Sequence, residues 1–517
     1  MSRQYITTAI DYPNAAPHMG HVLEKVIADV MARWFRLKGD EVRFQIGTDE
    51  HGIKIQQTAK KAGATPSELV DQNVPLFESL YAQLNISADI FIRTSDHAVN
   101  WPNVDKVRHR PTVEALWKKL MEAGALEKRT YTGLYCSGCE RFLTAKDLVD
   151  GKCPIHQVEP EKVEEENYFF KLHDKEEWLQ KILTDGEYRI IPDYRSEETL
   201  SLIRGGLEDV SFSRPKSSLA WGIPIPGDEN QTMYVWCDAL TNYISGLGYL
   251  TDREEKKWWD DATVTHVIGK DIARFHACIW PAMLNYAGIQ IPNRLLIHGF
   301  VTSEGQKMSK SLGNVVDPVD VLATFNGNPD PMRFFLCHEI PVGRDGDFSW
   351  KRLEEIYDSK LRNQLGNMLN RVLVMLKKEG GSLALPPSKD DEANIAAAWV
   401  QYADALNRFD IHGAIQGITT QIDAMNASFN LAQPWKLEGT ERIAVLSRFA
   451  EALRHVSLAL LPFIPDTAYR IARQLNLPYV DKMKEKDFVI TDAMKTWGGV
   501  PEWKTVGEPS ILFAPLD

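Results

Sequence analysis

Residues 5–10 (Tyr5, Ile6, Thr7, Thr8, Ala9, Ile10) form a short apolar run rich in β-formers. Asp11, Pro13, Asn14 and Pro17 interrupt it, and from His18 onward apolar residues recur at helical spacing: Val22, Val26, Ile27, Val30, Met31 and Trp34. The same alternation follows at once. Residues 42–46 read as a strand, residues 47–52 as its exit loop, and a helix is predicted from Ile53. Strands alternating with helices imply a parallel sheet whose ligands bind at the carboxyl ends of the strands. Residues 66–128 read as mostly helical, with breaks at Asn100–Asn103 and Pro111.

Residues 129–165 change character, and residues 166–230 read as short strands and polar loops, a β-rich insertion. The α/β pattern resumes at 231. A strand is predicted over 233–236, and a helix that carries Tyr243 starts at Cys237. Further strands are predicted over 264–268 and 295–297, separated by a helix with Phe275, His276 and Trp280. From Trp350 to the end the pattern is almost all helical, with Leu361, Leu365, Met368, Val372 and Met375 in one apolar stripe. The expected fold is α/β. A Rossmann-like catalytic domain (1–112 and 231–295) is split by a connective insertion (113–230, with a knuckle at about 130–165). A contact region (296–350) and an all-α bundle (351–517) follow.

With 517 residues, 44% of them hydrophobic, the chain can bury a large core in three or four folded units. A net charge of −12 argues against generic coating of nucleic acid, so a polyanion partner needs local basic surfaces. The start of the chain does not resemble a signal peptide and no apolar stretch is long enough to span a membrane. The six cysteines suit a reducing cytoplasm better than a disulfide framework.

Four stretches carry candidate chemistry. His18-Met19-Gly20-His21 opens a helix, where amide groups and the dipole favour an anion. Gly20 lets a nucleotide approach the backbone, and His18 and His21 share one face, able to donate to a phosphate. Two surface histidines at a helix start are the plainer reading. Asp49, at a strand end, reads either as a partner for a substrate ammonium or as a helix N-cap. Cys136-Ser137-Gly138-Cys139 followed by Cys153-Pro154-Ile155-His156 supplies three thiolates and an imidazole, a closed tetrahedral set for structural Zn²⁺. Lys307-Met308-Ser309-Lys310-Ser311, flanked by Gly305 and Gly313, can surround a pyrophosphate; alone it would read as a solvated basic loop. In the bundle no acid lies between Lys360 and Lys378, and Asn363, Asn367 and Arg371 fall at four-residue steps on a basic face. That face, with Trp435 in a loop, suits exposed bases, or is a solvated helix surface.

Together these stretches resemble class I aminoacyl-tRNA synthetases, and within them the methionyl-tRNA synthetase family in its single-zinc-knuckle form. His18–His21 is similar to the family's HIGH element with Met for Ile, and Lys307–Ser311 matches its KMSKS element letter for letter. Residues 6–8, 47–52, 234–239 and 269–272 extend the resemblance in order over nearly the whole chain. The resemblance implies ATP-dependent activation of L-methionine to methionyl-adenylate and its transfer to tRNA(Met). His18, His21, Lys307 and Lys310 would be catalytic, and Gly20, Phe300, Val301 and Ser309 would join them around ATP and its Mg²⁺. Ile10, Tyr12, Asp49, Trp236, Ala239, Tyr243, Ile272, Phe275, His276 and Trp280 would form the methionine pocket. Asn363, Asn367, Arg371 and Trp435 would read the anticodon, making residues 351–517 the anticodon-binding domain, and Arg214 would lie near the transition state. Asp11 departs from the family, which usually has a neutral residue there. The insertion is too short for the editing domains of the leucine, isoleucine and valine enzymes. The end at Asp517, without an appended tRNA-binding domain, leads us to expect a monomer. The competing readings are another HxGH nucleotidyl transferase, which would lack the lysine loop, and a silent tRNA-binding relative, which would have lost a motif histidine or lysine.

Overall fold

A computed structural model describes residues 2–101, 108–136, 141–143, 148–154, 157–251, 255–303, 305–307 and 315–516, with only the backbone described at 131, 132, 141, 142, 306 and 307. Its centre is a six-stranded sheet in the order Ile90–Arg93, Glu41–Thr48, Arg3–Thr8, Thr263–Gly269, Arg294–His298, Arg189–Ile191. All pairings in it are parallel, with Ile6 opposite Phe44 on one side and Thr265 on the other. The order reverses between Arg3–Thr8 and Thr263–Gly269. That switch point opens a crevice at the carboxyl ends, and the histidine motif follows the first of these two strands.

The strands with buried faces hold the β-branched and aromatic residues expected of a parallel sheet covered on both sides. One face packs against the helix Met19–Leu37 and, through it, the C-terminal helices, in one continuous core from Ile6 to Phe513. The other face packs against Arg110–Glu122 and the aromatic group around Trp259 and Trp280.

Three expectations are corrected. The strand expected over 233–236 ends at Met233, belongs to a small antiparallel sheet with Ser213–Pro215 and Pro224–Ile225, and gives way to a helix over Val235–Leu240. Tyr243 sits on the next short helix, Asn242–Ser245, so that Cys237 does not begin the helix that carries it. The stretch 66–128, read as mostly helical, contains the edge strand Ile90–Arg93; the insertion does return to the main sheet, placing Arg189–Ile191 at its opposite edge. These edge strands span only four and three residues, too few to show a period.

Strand spacing near the site is tight at one glycine. A Cβ on Gly47 would stand 2.2 Å from the Ile92 carbonyl oxygen and 3.1 Å from Ile10 Cγ2. Gly47→Ala is expected to force the Glu41–Thr48 and Ile90–Arg93 strands apart and lower stability by about 3 kcal/mol. A thermal midpoint equal to that of the parent protein would show the strands can relax.

The C-terminal region is helical as expected through Gln474, where Lys389–Asn407, Ile411–Ala432, Gly439–Leu460 and Pro465–Gln474 pack together; beyond it, where helix was also expected, the chain forms turns with only the short Asp481–Lys484 and Asp492–Lys495 helical segments, and it folds back so that Phe513 meets Tyr357. No helix among the described residues is long and apolar enough to cross a membrane.

Candidate active site

After Thr8 the chain crosses toward the second strand. The Asp11 amide donates to the Gly47 carbonyl (2.9 Å), and the Asp49 amide donates to the Asp11 carbonyl (2.8 Å). This stitch brings Ile10, Tyr12 and Asp49 to one place. Tyr12 Oη donates to the His51 carbonyl (2.9 Å). Asp49 is buried, and the helix behind it, Ile53–Ala62, has Gly52 as its N-cap with no side-chain cap, so the capping reading of Asp49 fails.

His18 caps the helix Met19–Leu37. Its Nδ1 accepts from the Gly20 amide (3.1 Å), while His21 Nδ1 accepts from the His18 amide (3.1 Å). A ring nitrogen that accepts from an amide carries no proton, so both imidazoles are neutral with their proton on Nε2. The rings stack at 3.8 Å and 24°. Burial, then the repulsion that protonated His18 and Lys25 would exert on a charged ring, hold His21 well below the ordinary imidazole range. The result is a pair of adjacent N–H groups at the positive end of a helix dipole. A Cβ on Gly20 would stand 3.0 Å from His18 Cε1, so the glycine makes room for this ring as well as for a ligand.

These residues line a cavity of about 660 Å³ whose other walls include Ile10, Tyr12, Ile272, Phe300 and Val301. That volume lies in the range of small-molecule sites. The strand leaving the cavity at Val301 pairs with Gln306–Lys307, setting Lys307 opposite Thr302, and the chain returns to the cavity at Val315 and Asp317. The described residues on either side of the lysine-rich stretch thus line the same cavity as the histidine turn. Ser309 and Lys310 lie outside the described residues, and Lys307 is described by its backbone alone.

The remaining candidate methionine residues form an aromatic group. Trp236 stacks on Phe275 at 3.8 Å and 8°. His276 Nδ1 donates to the Ile272 carbonyl (3.0 Å), which leaves Nε2 to accept from Tyr243 Oη (2.6 Å). Trp280 Nε1 donates to His266 Nε2 (3.1 Å), and Ala239 is buried. Of the ten candidates, Ile10, Tyr12 and Ile272 reach the cavity directly. Trp236 and Phe275 pack with Tyr12 and Ile272 in the same core cluster, while Asp49, Ala239, Tyr243, His276 and Trp280 do not line the cavity.

Burial pushes His276 down to about 4. In the unfolded chain an imidazole titrates near 6.5, so between these values the unfolded state holds more protons. Stability from this group is whole above pH 6.5 and is lost as pH falls toward 4, about 3 kcal/mol in all. His276→Gln is expected to flatten this part of the stability–pH curve, measured by urea unfolding at pH 7 and pH 5; equal slopes in both proteins would contradict it.

Sequence reasoning missed several residues. Glu24, Asp271, His298 and Asp317 also line the cavity. A signal existed for two of them: Glu24 is three residues beyond His21 on the same helix face, and His298 ends a strand of the parallel sheet. Asp238, fully buried, accepts from His51 Nδ1 and His109 Nε2, both at 2.6 Å. Burial raises its carboxyl, but the His51 charge and the bonds to both rings outweigh this and hold it at about 2. Arg214 is buried against Tyr135 and Tyr234 and donates to Ser211 Oγ (2.6 Å).

In the knuckle, Cys136 and Cys153 are buried in one small cluster with Leu143, whereas Cys139 and His156 lie outside the described residues. Among the described residues no group of three potential ligands gathers. In the bundle, Asn363 and Asn367 are exposed, with Asn367 Nδ2 donating to Asn363 Oδ1 (3.4 Å). Arg371 lies over the rings of Phe429 (4.5 Å) and Trp435 (5.7 Å), and Trp435 is 43% exposed. The four residues therefore share one surface, and Trp435, which the sequence left as either exposed or buried, is exposed on it.

A histidine-bearing turn at the switch point of a parallel sheet, sharing one cavity with the residues on either side of a lysine-rich stretch, defines a class I synthetase catalytic domain. A family model described as "tRNA synthetases class I (M)" matches residues 4–159 and 144–373. The methionine–tRNA ligase of Caldanaerobacter subterraneus subsp. tengcongensis is 38% identical over 99% of this chain and 79% of its own. That of Brucella suis biovar 1 is 39% identical over 94% of each chain. The Mycobacterium tuberculosis methionyl-tRNA synthetase in complex with methionyl-adenylate superposes with a TM-score of 0.88 at 34% identity, covering 99% of this chain and all of that one. Its apo form gives 0.82 at 31% identity. The chain belongs to the methionine–tRNA ligase family of class I aminoacyl-tRNA synthetases.

Proposed function

We propose that this chain activates L-methionine with ATP and charges tRNA(Met). The observation that carries the reading is the single cavity shared by the stacked histidine pair and by both flanks of the lysine loop. The methionine carboxylate attacks the α-phosphorus in line. A carboxylate oxygen–phosphorus bond forms, the bond to the bridging oxygen breaks, and pyrophosphate leaves with its electron pair. The terminal ribose hydroxyl of tRNA then takes the acyl group, its proton is lost, and AMP departs.

The nucleophile is already ionised, so positioning and charge stabilisation dominate. His18 and His21 donate from Nε2 to the α-phosphate, with Gly20 leaving room for the nucleotide. Lys307, Ser309 and Lys310 follow the charge that develops on pyrophosphate. Phe300 and Val301 face adenine. Asp49 holds the methionine ammonium, Ile10 and Tyr12 line its side chain, and the aromatic group of Trp236, Ala239, Tyr243, Ile272, Phe275, His276 and Trp280 completes the pocket. Mg²⁺ enters with the triphosphate as part of the substrate.

Two buried thiols in one apolar cluster, Cys136 and Cys153, suit a tetrahedral thiolate site. Cys139 and His156 would complete it, and bound Zn²⁺ would pin the knuckle. Asn363, Asn367, Arg371 and Trp435 read the anticodon by amide hydrogen bonds and stacking. The protein acts as a monomer in the cytoplasm.

ATP–pyrophosphate exchange across the amino acids tests this. Exchange is expected with methionine and at least a hundredfold less with leucine, isoleucine and valine, a contrast of about 2.7 kcal/mol or more, at the upper end of the ~1–3 kcal/mol that one methylene in an apolar pocket supplies. No exchange with any amino acid would leave the silent tRNA-binding reading.

A further inference from the structure

Lys25 stands on the motif helix one turn beyond His21, fully buried. Its ammonium donates to three acceptors: Asp11 Oδ1 (2.6 Å), Glu24 Oε1 (2.8 Å) and the Ala9 carbonyl (3.0 Å). Each acceptor belongs to a different part of the site. Ala9 and Asp11 flank Ile10 on the methionine side, and the Asp11 carbonyl receives the Asp49 amide. Asp11 Oδ2 accepts from Tyr81 Oη (2.6 Å). Glu24 faces the cavity, and its second oxygen meets His298 Nε2 at 3.2 Å. Asp49, Asp11, Lys25, Glu24 and His298 are therefore linked in series, the first step through the Asp11 backbone and the others through side chains, and Asp11, Glu24 and His298 line the cavity along this path.

We propose that Lys25, through Asp11, is a positioning residue for adenylate formation. It sets the separation between the segment that carries the methionine contacts and the helix that carries the phosphate contacts. Core stability alone does not call for a charge here, since replacing both members of a buried ion pair by neutral groups is often neutral for stability. The pair instead gives a short, three-point, directional tie between two elements that must hold two substrates in line. The ammonium is saturated by its three partners and does not touch the substrates. It acts by holding Asp49 and Glu24 at a fixed spacing. This deepens the proposed methionine activation and depends on it.

The test compares the parent protein with Asp11→Asn, Lys25→Met and the double variant in methionine-dependent ATP–pyrophosphate exchange, alongside urea unfolding. Lys25→Met leaves two buried carboxylates without their cation and is expected to unfold early. The double variant removes one of the two stranded carboxylates but leaves Glu24 with His298 alone, so it is expected to regain part of the parent's unfolding midpoint while its kcat stays about a hundredfold low, because misplacing reacting groups by about an ångström costs that much. Its KM for either substrate is expected to move less than threefold. Asp11→Asn, nearly isosteric, keeps an oxygen for the lysine and is expected to lose kcat about tenfold. A double variant, or Asp11→Asn alone, that exchanges at the parent rate would overturn the proposal and reduce the pair to a structural one. A parent protein inactive with methionine but active with another amino acid would overturn the functional reading and leave the role of Lys25 to be measured with that amino acid.

Discussion

Lys310→Ala lowers the rate of methionine-dependent pyrophosphate exchange by about a hundred- to a thousandfold, the loss typical of one contact to developing charge. The KM for methionine is expected to stay nearly constant. The reason is timing: in the proposed reaction the lysine would gain most from the extra charge that builds on the pyrophosphate as it leaves, beyond the charge the triphosphate already carries. Such a residue lowers kcat and kcat/KM together. Lys310→Arg, which keeps the charge on a planar fork, should recover only part of the rate. Steady-state exchange at saturating ATP reads both numbers. An unchanged rate in the alanine variant would remove the lysine loop from the chemistry.

The second large effect is on stability. Arg333, fully buried on the helix Asp330–Glu339, donates to Asp29 Oδ2 (2.7 Å) on the motif helix and to the carbonyls of Leu84 (3.2 Å), Pro462 (3.0 Å) and Phe463 (2.7 Å). One guanidinium thus joins the catalytic domain to the turn that precedes the helix Pro465–Gln474. Arg333→Ala leaves a carboxylate and three carbonyls short of a donor in a dry interior. It is expected to cost about 3–5 kcal/mol. Asp29 keeps Arg33 (2.8 Å) and the Ser87 amide (2.7 Å), which limits the loss on that side. Urea unfolding followed by tryptophan fluorescence should show an earlier transition; a midpoint equal to the parent's would mean that water replaces the lost donors at no cost.

The parts of the site legible in the sequence were those carried by short local patterns. His18–His21 declares itself because both side chains fall within one helical turn; Lys307–Ser311 stands out in the sequence by two lysines between Gly305 and Gly313, and of it the structure describes only the Lys307 backbone. Ile10, Tyr12, His18, Gly20, His21, Ile272, Phe300 and Val301 do meet at one cavity. Asp271 and Asp317 were not legible as cavity residues, since nothing local distinguishes an acid facing a ligand from an acid facing water.

The motif helix marks the division most clearly. Its apolar period, Val22 through Trp34, fixed a helix at that place and the sheet it would cover, because burying that stripe outweighs the local alternatives. By the same pattern Glu24, Lys25, Asp29 and Arg36 belong on a solvated face, yet all four are buried. Only the tertiary structure decided this. The C-terminal helices close over what would have been the wet side, and Asp11, His298, Arg333, Ser87 and Asp89 arrive from distant parts of the chain to pair each charge. Sequence alone therefore determined the elements, their sheet and the local chemistry of two loops. It could not determine which charges would be taken from water, because that depends on partners brought from as many as about three hundred residues away.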